Sequence, residues 1–193
     1  MSKLIRAFFA AEIDDRLRRE LAAVMSDLQR IDAAVRWVAP ENLHWTVKFL
    51  GDVPMTSTGE IAGAAKEALE QHAPFAGTVT GVAAFPDARR MRLVAARMED
   101  GGQLGAIRDI VEDYMEDFGV PPDGRAFKAH LTMGRVKGSR GIGELAEALK
   151  AYEGKGFGEC HVEEVVLFMS ELSRGGPTYT PLARIPLGGG ATP

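Results

Sequence analysis

The sequence predicts an α+β protein built of two sheet-and-helix lobes. Three observations lead there: four amphipathic helical stripes, eight runs rich in β-branched and aromatic residues interleaved with them, and spacings that form no regular strand-helix-strand series. Hairpin-like neighbours, such as the runs flanking Pro86 to Arg90, favour mostly antiparallel sheets. The first helix, Asp14 to Ile31, sets Leu17, Leu21, Val24, Leu28 and Ile31 on one stripe. A second covers about Ser57 to His72, with Ser57 or Thr58 as cap and Pro74 beyond its end. The third carries Leu104, Ile107, Val111, Tyr114 and Phe118, and Gly119 with Pro121 and Pro122 terminates it. A weaker fourth spans about Ile142 to Tyr152, followed by Gly154 and Gly156. The predicted strands are about Leu4 to Ala10, Val35 to Val38, Leu43 to Leu50, Phe75 to Phe85, Arg92 to Met98, Phe127 to Val136, Glu163 to Ser170 and Pro177 to Ile185. Segments Pro121 to Arg125, Lys137 to Gly143 and Arg174 to Pro177 read as flexible connections. The expected organisation is one bilobal domain over 1–187 with a disordered tail at 188–193.

Composition narrows the functional classes. With 193 residues, 46% of them hydrophobic, the chain can bury a real core. One cysteine, Cys160, excludes an intramolecular disulfide framework, and the start Met1-Ser2-Lys3-Leu4 lacks a signal-peptide pattern, so a cytoplasmic location is expected. No apolar run approaches the roughly 20 residues of a membrane-spanning helix. A net charge of -4 argues against bulk coating of nucleic acid and leaves room for a local anion pocket. No obligatory protein partner is implied.

Two segments carry the chemistry: His44-Trp45-Thr46-Val47 and His130-Leu131-Thr132-Met133. Strand side chains alternate, so each segment buries apolar residues on one face and offers an imidazole beside a hydroxyl on the other. A lone His-x-Thr in a strand is ordinary. Among four histidines and nine threonines, the same spacing twice is an event of about one per cent by composition. Two such faces meeting form a polar cleft in which one histidine activates a nucleophile and the other protonates a leaving oxygen, while Thr46 and Thr132 donate to non-bridging oxygens. Metal-ligand spacing is lacking around either motif, so no metal or cofactor is called for. Lys48 and Lys128 share strand parity with the histidines. Arg135 has the opposite parity, yet Gly134 permits a bulge that turns it inward, where its fork matches phosphate oxygens. His72, His161 and Cys160 read as local structural residues.

Asn42-Leu43-His44-Trp45-Thr46-Val47-Lys48-Phe49-Leu50-Gly51 and Phe127-Lys128-Ala129-His130-Leu131-Thr132-Met133-Gly134-Arg135 resemble the two signatures of the two-histidine (2H) phosphoesterases. The similarity is to the RNA 2',3'-cyclic phosphodiesterase branch, also called LigT or ThpR. Arg6 to Ala10, Trp37-Val38, Pro40-Glu41-Asn42, Ser170-Glu171-Leu172, Gly176 and Tyr179 resemble the same branch. The resemblance implies a bilobal α+β fold with a pseudo-twofold axis, two mostly antiparallel sheets, helices outside and a central cleft. It also implies metal-free hydrolysis of a cyclic phosphate at an RNA 3' end to a 2'-phosphate, and, in reverse, joining of RNA ends through a 2',5' linkage. By that resemblance His44 is the proton donor, His130 the proton acceptor, and Thr46, Thr132 and Arg135 bind substrate. The partner is an RNA 3' end or a small cyclic nucleotide. Two positions depart from the branch: Ala129 stands where a proline is common, and Trp45 where an aliphatic residue is usual. A non-catalytic binder of nucleotides or RNA ends, or a 2H esterase for another 2',5' or cyclic nucleotide, fits the same residues.

Overall fold

The computed structural model describes residues 2–124, 126–173 and 176–188. Among the described residues nine strands and four α-helices follow one another as β1 (Leu4–Glu12), α1 (Asp15–Leu28), β2 (Val35–Trp37), β3 (His44–Pro54), α2 (Thr58–Leu69), β4 (Phe75–Phe85), β5 (Leu93–Glu99), α3 (Gln103–Met115), β6 (His130–Val136), α4 (Ile142–Leu149), β7 (Gly156–Val162), β8 (Glu164–Ser173) and β9 (Gly176–Pro186). All strand pairs are antiparallel, in the order β7-β4-β5-β6-β3-β1-β8-β9, with β2 also on β6. The two expected sheets are joined by a single residue pair, Trp45 opposite Leu131, between β3 and β6. Outward from that seam, β3-β1-β8-β9 and β6-β5-β4-β7 repeat each other. Each half runs strand, helix, His-x-Thr strand, helix along the chain: β1-α1-β3-α2, then β5-α3-β6-α4.

The helices form where the stripes lie, because burying one leucine stabilises by roughly 1.5–3 kcal/mol and each stripe buries several. Leu17, Leu21, Val24 and Leu28 are buried on α1, which starts where the Asp14 carboxylate accepts the Leu17 N–H at 2.7 Å. Arg16 then ties α1 to β7 by donating to the Phe157 and Glu159 carbonyls. The helices exchange places: α1, which follows β1, packs on β7 and α4, whereas α3, which follows β5, packs on β3 and α2. One continuous core runs through both halves. A second, smaller cluster of Phe8, Ala10, Val166 and Phe168, with Tyr179 against it, lies on the other face of β1 and β8.

Several details depart from the sequence reading. Strand β7 was not expected, because Gly156 and Gly158 interrupt the pattern, yet Phe157, Cys160 and Val162 are buried there. Tyr114 is exposed, and Met115, four residues after Val111, takes its place on the buried face of α3, with a 3-10 turn following at Glu116–Phe118. Neither Ser57 nor Thr58 caps α2 with its side chain; a 3-10 turn, Met55–Ser57, leads in, and the Thr58 hydroxyl donates back to the Met55 carbonyl. Gly119, at φ 74°, ends the third helical segment as expected. The β4-β5 hairpin is also present, its turn held by the Asp87 carboxylate accepting the Arg89 and Arg90 N–H groups. Gly176 and Pro177 open β9 rather than a loop, while Arg125, Arg174, Gly175 and the tail from 189 onward lie outside the described residues.

Candidate active site

The seam brings the two motifs together. Trp45 and Leu131 point into the core, at 1% and 0% exposure, so His44, Thr46, His130 and Thr132 project from the opposite face, all half-buried. Because the strands run antiparallel through the Trp45-Leu131 pair, the motifs lie head to tail on either side of a local twofold. The tryptophan has found room: its indole N–H has no nitrogen or oxygen partner among the described residues and meets the Cys160 sulfur, whose pKa burial pushes up and this contact partly offsets.

Both imidazoles are oriented by the same device. His44 Nδ1 lies 2.7 Å from the Asn42 carbonyl, and His130 Nδ1 lies 2.7 Å from the Lys128 carbonyl. A carbonyl only accepts, so each Nδ1 carries the hydrogen and each Nε2 is left for chemistry. Asn42 is in turn anchored by donating to the Pro177 carbonyl on β9, at 2.8 Å. His44 Nε2 also meets the Thr46 hydroxyl at 3.0 Å, which donates to it when the ring is neutral.

Their surroundings differ. The His44 ring packs against Phe8 at 5.0 Å and the edge of Tyr179 at 5.3 Å between centroids. Burial lowers the His44 pKa to about 4, with Arg135 pushing the same way, while the Asn42 carbonyl and Glu12 oppose. The Tyr179 hydroxyl is pushed up by burial and eased back by Arg135. His130 instead borders the Phe85 ring, at 5.4 Å, in a more open setting.

A bulge decides which cations face this site. On β6, Gly134 pairs with Val94 and Thr132 with Ala95, so Met133 is an extra residue that reverses the alternation. Arg135 therefore joins His130 and Thr132 on the cleft face, as Gly134 led us to expect, and its charge reaches both His44 and Tyr179. The same bulge occurs on β3, where Val47 is the extra residue between Thr46, opposite Ala10, and Lys48, opposite Phe9. Here it runs against simple strand parity. Lys48 is turned away from the cleft and buried at 5% exposure, paired with the Glu112 carboxylate and donating to the Pro121 carbonyl at 2.9 Å. Glu112 also receives Arg108, at 2.6 Å, and the Asp123 N–H. Burial alone would raise the Glu112 pKa; Lys48, the Asp123 N–H and Arg108 outweigh it and hold it down. Phe49, 61% exposed, takes the cleft-side position and lies 5.9 Å from Phe8.

Lys128 keeps an exposed side chain just before β6, where its carbonyl orients His130. His72 and His161 are remote from the seam: His72 borders Phe75, and His161 borders Glu159. Among the described residues no three His, Cys, Asp or Glu side chains gather as a metal site. Sequence reasoning gave no role to Phe8, Phe49, Phe85, Arg97 or Tyr179. Their placement depends on the two bulges and on pairing across strands, and only the aromatic richness of the strands signalled it.

Residues 12–95 and 98–179 match the model of the LigT like phosphoesterases. An RNA 2',3'-cyclic phosphodiesterase of Methanothermobacter thermautotrophicus is 35% identical over 91% of this chain and 95% of its own length. That of Archaeoglobus fulgidus is 34% identical over 92% and 98%. Among solved structures, TT0787 of Thermus thermophilus superposes with a TM-score of 0.79 at 25% identity, covering 96% of this chain and all of that one. Escherichia coli LigT complexed with 3'-AMP shares the fold at a TM-score of 0.76 and 24% identity, over 96% and 99%.

Proposed function

The chain belongs to the LigT-like phosphoesterase family, and from that premise we propose that it hydrolyses the 2',3'-cyclic phosphate at an RNA 3' end to a 2'-phosphomonoester. The observation that supports this most is the head-to-tail pairing of two His-x-Thr motifs across the Trp45-Leu131 seam, with both Nδ1 atoms held by backbone carbonyls so that proton transfer falls to Nε2. The names of the relatives, and the nucleotide complexes of Escherichia coli LigT, agree with a nucleotide-sized cleft.

In the proposed reaction His130 Nε2 takes a proton from water as its oxygen attacks phosphorus. The bond from phosphorus to the 3' oxygen breaks, and His44 Nε2–H delivers a proton to that oxygen. One proton is taken up and one released, so the two histidines exchange states over a turnover. Thr46 and Thr132 hydroxyls and the Arg135 guanidinium hold the non-bridging oxygens, where negative charge concentrates.

The donor role requires His44 to be charged, whereas burial lowers its pKa to about 4. A phosphodiester monoanion about 4 Å from the ring contributes roughly 4 kcal/mol at an effective dielectric constant of 20, equivalent to about three pK units. That suffices to bring the imidazolium back to neutral pH, so substrate binding is coupled to uptake of a proton at His44. Calorimetric titration with a 2'-phosphorylated nucleotide in buffers of different ionisation enthalpy should show that uptake near pH 7 in the wild type and less of it in His44→Asn, which subtracts the titration of the phosphomonoester itself, at about pH 6. Equal heats in all buffers would point to exchanged roles, with His44 the base.

The function itself is tested by incubating the protein with an oligonucleotide ending in a 2',3'-cyclic phosphate and locating the phosphate in the product. A 2'-phosphate, formed also in the presence of chelator, supports the proposal. A 3'-phosphate, or turnover only with added metal, overturns it. The reverse joining of RNA ends through a 2',5' linkage would use the same groups, with an RNA hydroxyl in place of water.

A further inference from the structure

The two ends of the cleft differ in character. Beyond His44 stand the Phe8 and Tyr179 rings, and the nearby Arg184 is neutralised by Glu12 and Glu164. Beyond His130 the same sheet face continues: Arg97 lies opposite His130, and Thr80 opposite Arg97. There a cavity of about 740 Å³ opens, lined by Phe85, Arg97, Lys128 and Thr80, with Glu99 and Glu153 also on its walls. Its size falls within the roughly 300–1,000 Å³ of small-molecule sites. The Arg97 guanidinium lies 5.5 Å over the Phe85 ring, whose other neighbour is His130. Among the described residues neither Arg97 nor Lys128 forms a salt bridge. Two cations without a direct ion-pair partner among the described residues and an aromatic ring, beside a site for one phosphate, match a second phosphate with its base.

We propose that this cavity is a second-nucleotide subsite. It holds the nucleotide adjoining the cyclic-phosphate end of the RNA, with the connecting phosphodiester drawn to Lys128 and Arg97 and the base lying on the Phe85-Arg97 stack. The Glu99 and Glu153 carboxylates accept from amino groups on that base. The subsite makes the enzyme an oligonucleotide enzyme rather than a mononucleotide one, and it rests on the cyclic-phosphodiesterase reading.

The test compares a 2',3'-cyclic mononucleotide with an oligonucleotide carrying the same cyclic end. Wild-type protein should prefer the oligonucleotide in kcat/KM by tenfold or more, chiefly through KM. The double variant Arg97→Ala, Lys128→Ala should bring that ratio toward one and flatten the salt dependence of oligonucleotide turnover by about one unit of slope for each phosphate no longer neutralised. Both side chains are exposed, and an unchanged melting temperature verifies the fold. A wild-type ratio near one, or a ratio the variant leaves intact, overturns the subsite while the phosphodiesterase reading stands. Wild-type protein that cleaves neither substrate overturns both.

Discussion

In the half of the molecule built on β1 and β3, Glu12, Ala10 and Phe8 lie opposite His44, Thr46 and Phe49. In the half built on β5 and β6, Arg97, Ala95 and Leu93 lie opposite His130, Thr132 and Arg135. The backbones correspond residue by residue, including the bulge after each threonine and an alanine beneath it that leaves space above. The side chains do not correspond. One half sets its histidine between the Phe8 and Tyr179 rings and opposite a carboxylate, the other beside the Phe85 ring and opposite an arginine. A repeated scaffold thus supplies symmetric geometry, and a few substitutions on the cleft face divide the labour of proton transfer and anion binding.

The largest effects should come from what the halves share. His44→Ala and His130→Ala should each lower kcat by about 10²–10⁴-fold on a cyclic-phosphate oligonucleotide, and the double variant little further, because acid and base act as one unit. Clearly multiplicative losses would mean that the two histidines work independently. Next comes the position after each bulge, Lys48 in one half and Gly134 in the other. Lys48→Met leaves Glu112 buried with one cation fewer and should cost about 3 kcal/mol in urea unfolding, with most of it recovered in the Lys48→Met, Glu112→Leu double variant. A loss of activity without loss of stability would return Lys48 to the phosphate.

Arg135→Ala should reduce kcat/KM about 10²-fold, and Arg135→Lys should restore only part, since a point charge cannot replace the fork. Its counterpart Phe49→Ala should leave the chemical step at least tenfold less affected. The smallest effect concerns pH. The folded-state pKa of His44, near 4, lies below its ordinary 6.5, so between these values the unfolded chain binds a proton that the folded chain does not. Stability should therefore fall as pH drops from about 6.5 to about 4, and His44→Asn should flatten this slope by up to one proton. Urea midpoints at pH 6.5, 5 and 4 measure it.

The paired motifs were legible because alternation alone aims both histidines and both threonines at one face. The bulges were legible only where a glycine marks one. Gly134 betrayed the turn that brings Arg135 inward, whereas Val47-Lys48-Phe49 contains no such mark, and simple parity sent Lys48 to the wrong face. Strand β7 was hidden by its glycines. Nothing local could reveal that α1 and α3 pack on each other's halves, since an amphipathic stripe states that a face is buried and not against what. For the same reason the open trough beyond His130 was invisible, being made by the two strands β4 and β5 with the segments that precede β6 and follow α4.

The exchange of helices bears on how such a molecule assembles. Neither half has its full cover until the other is present: β7 and α4 wait for α1, and β3 and α2 wait for α3. Contacts of that kind join residues far apart in sequence, which slows folding and makes it concerted. A chain cut between β4 and β5 would yield fragments that each lack a wall of their own core, and that fold only by finding one another. Interlaced in this way, the two histidine strands are brought to the seam in the same event that completes the core.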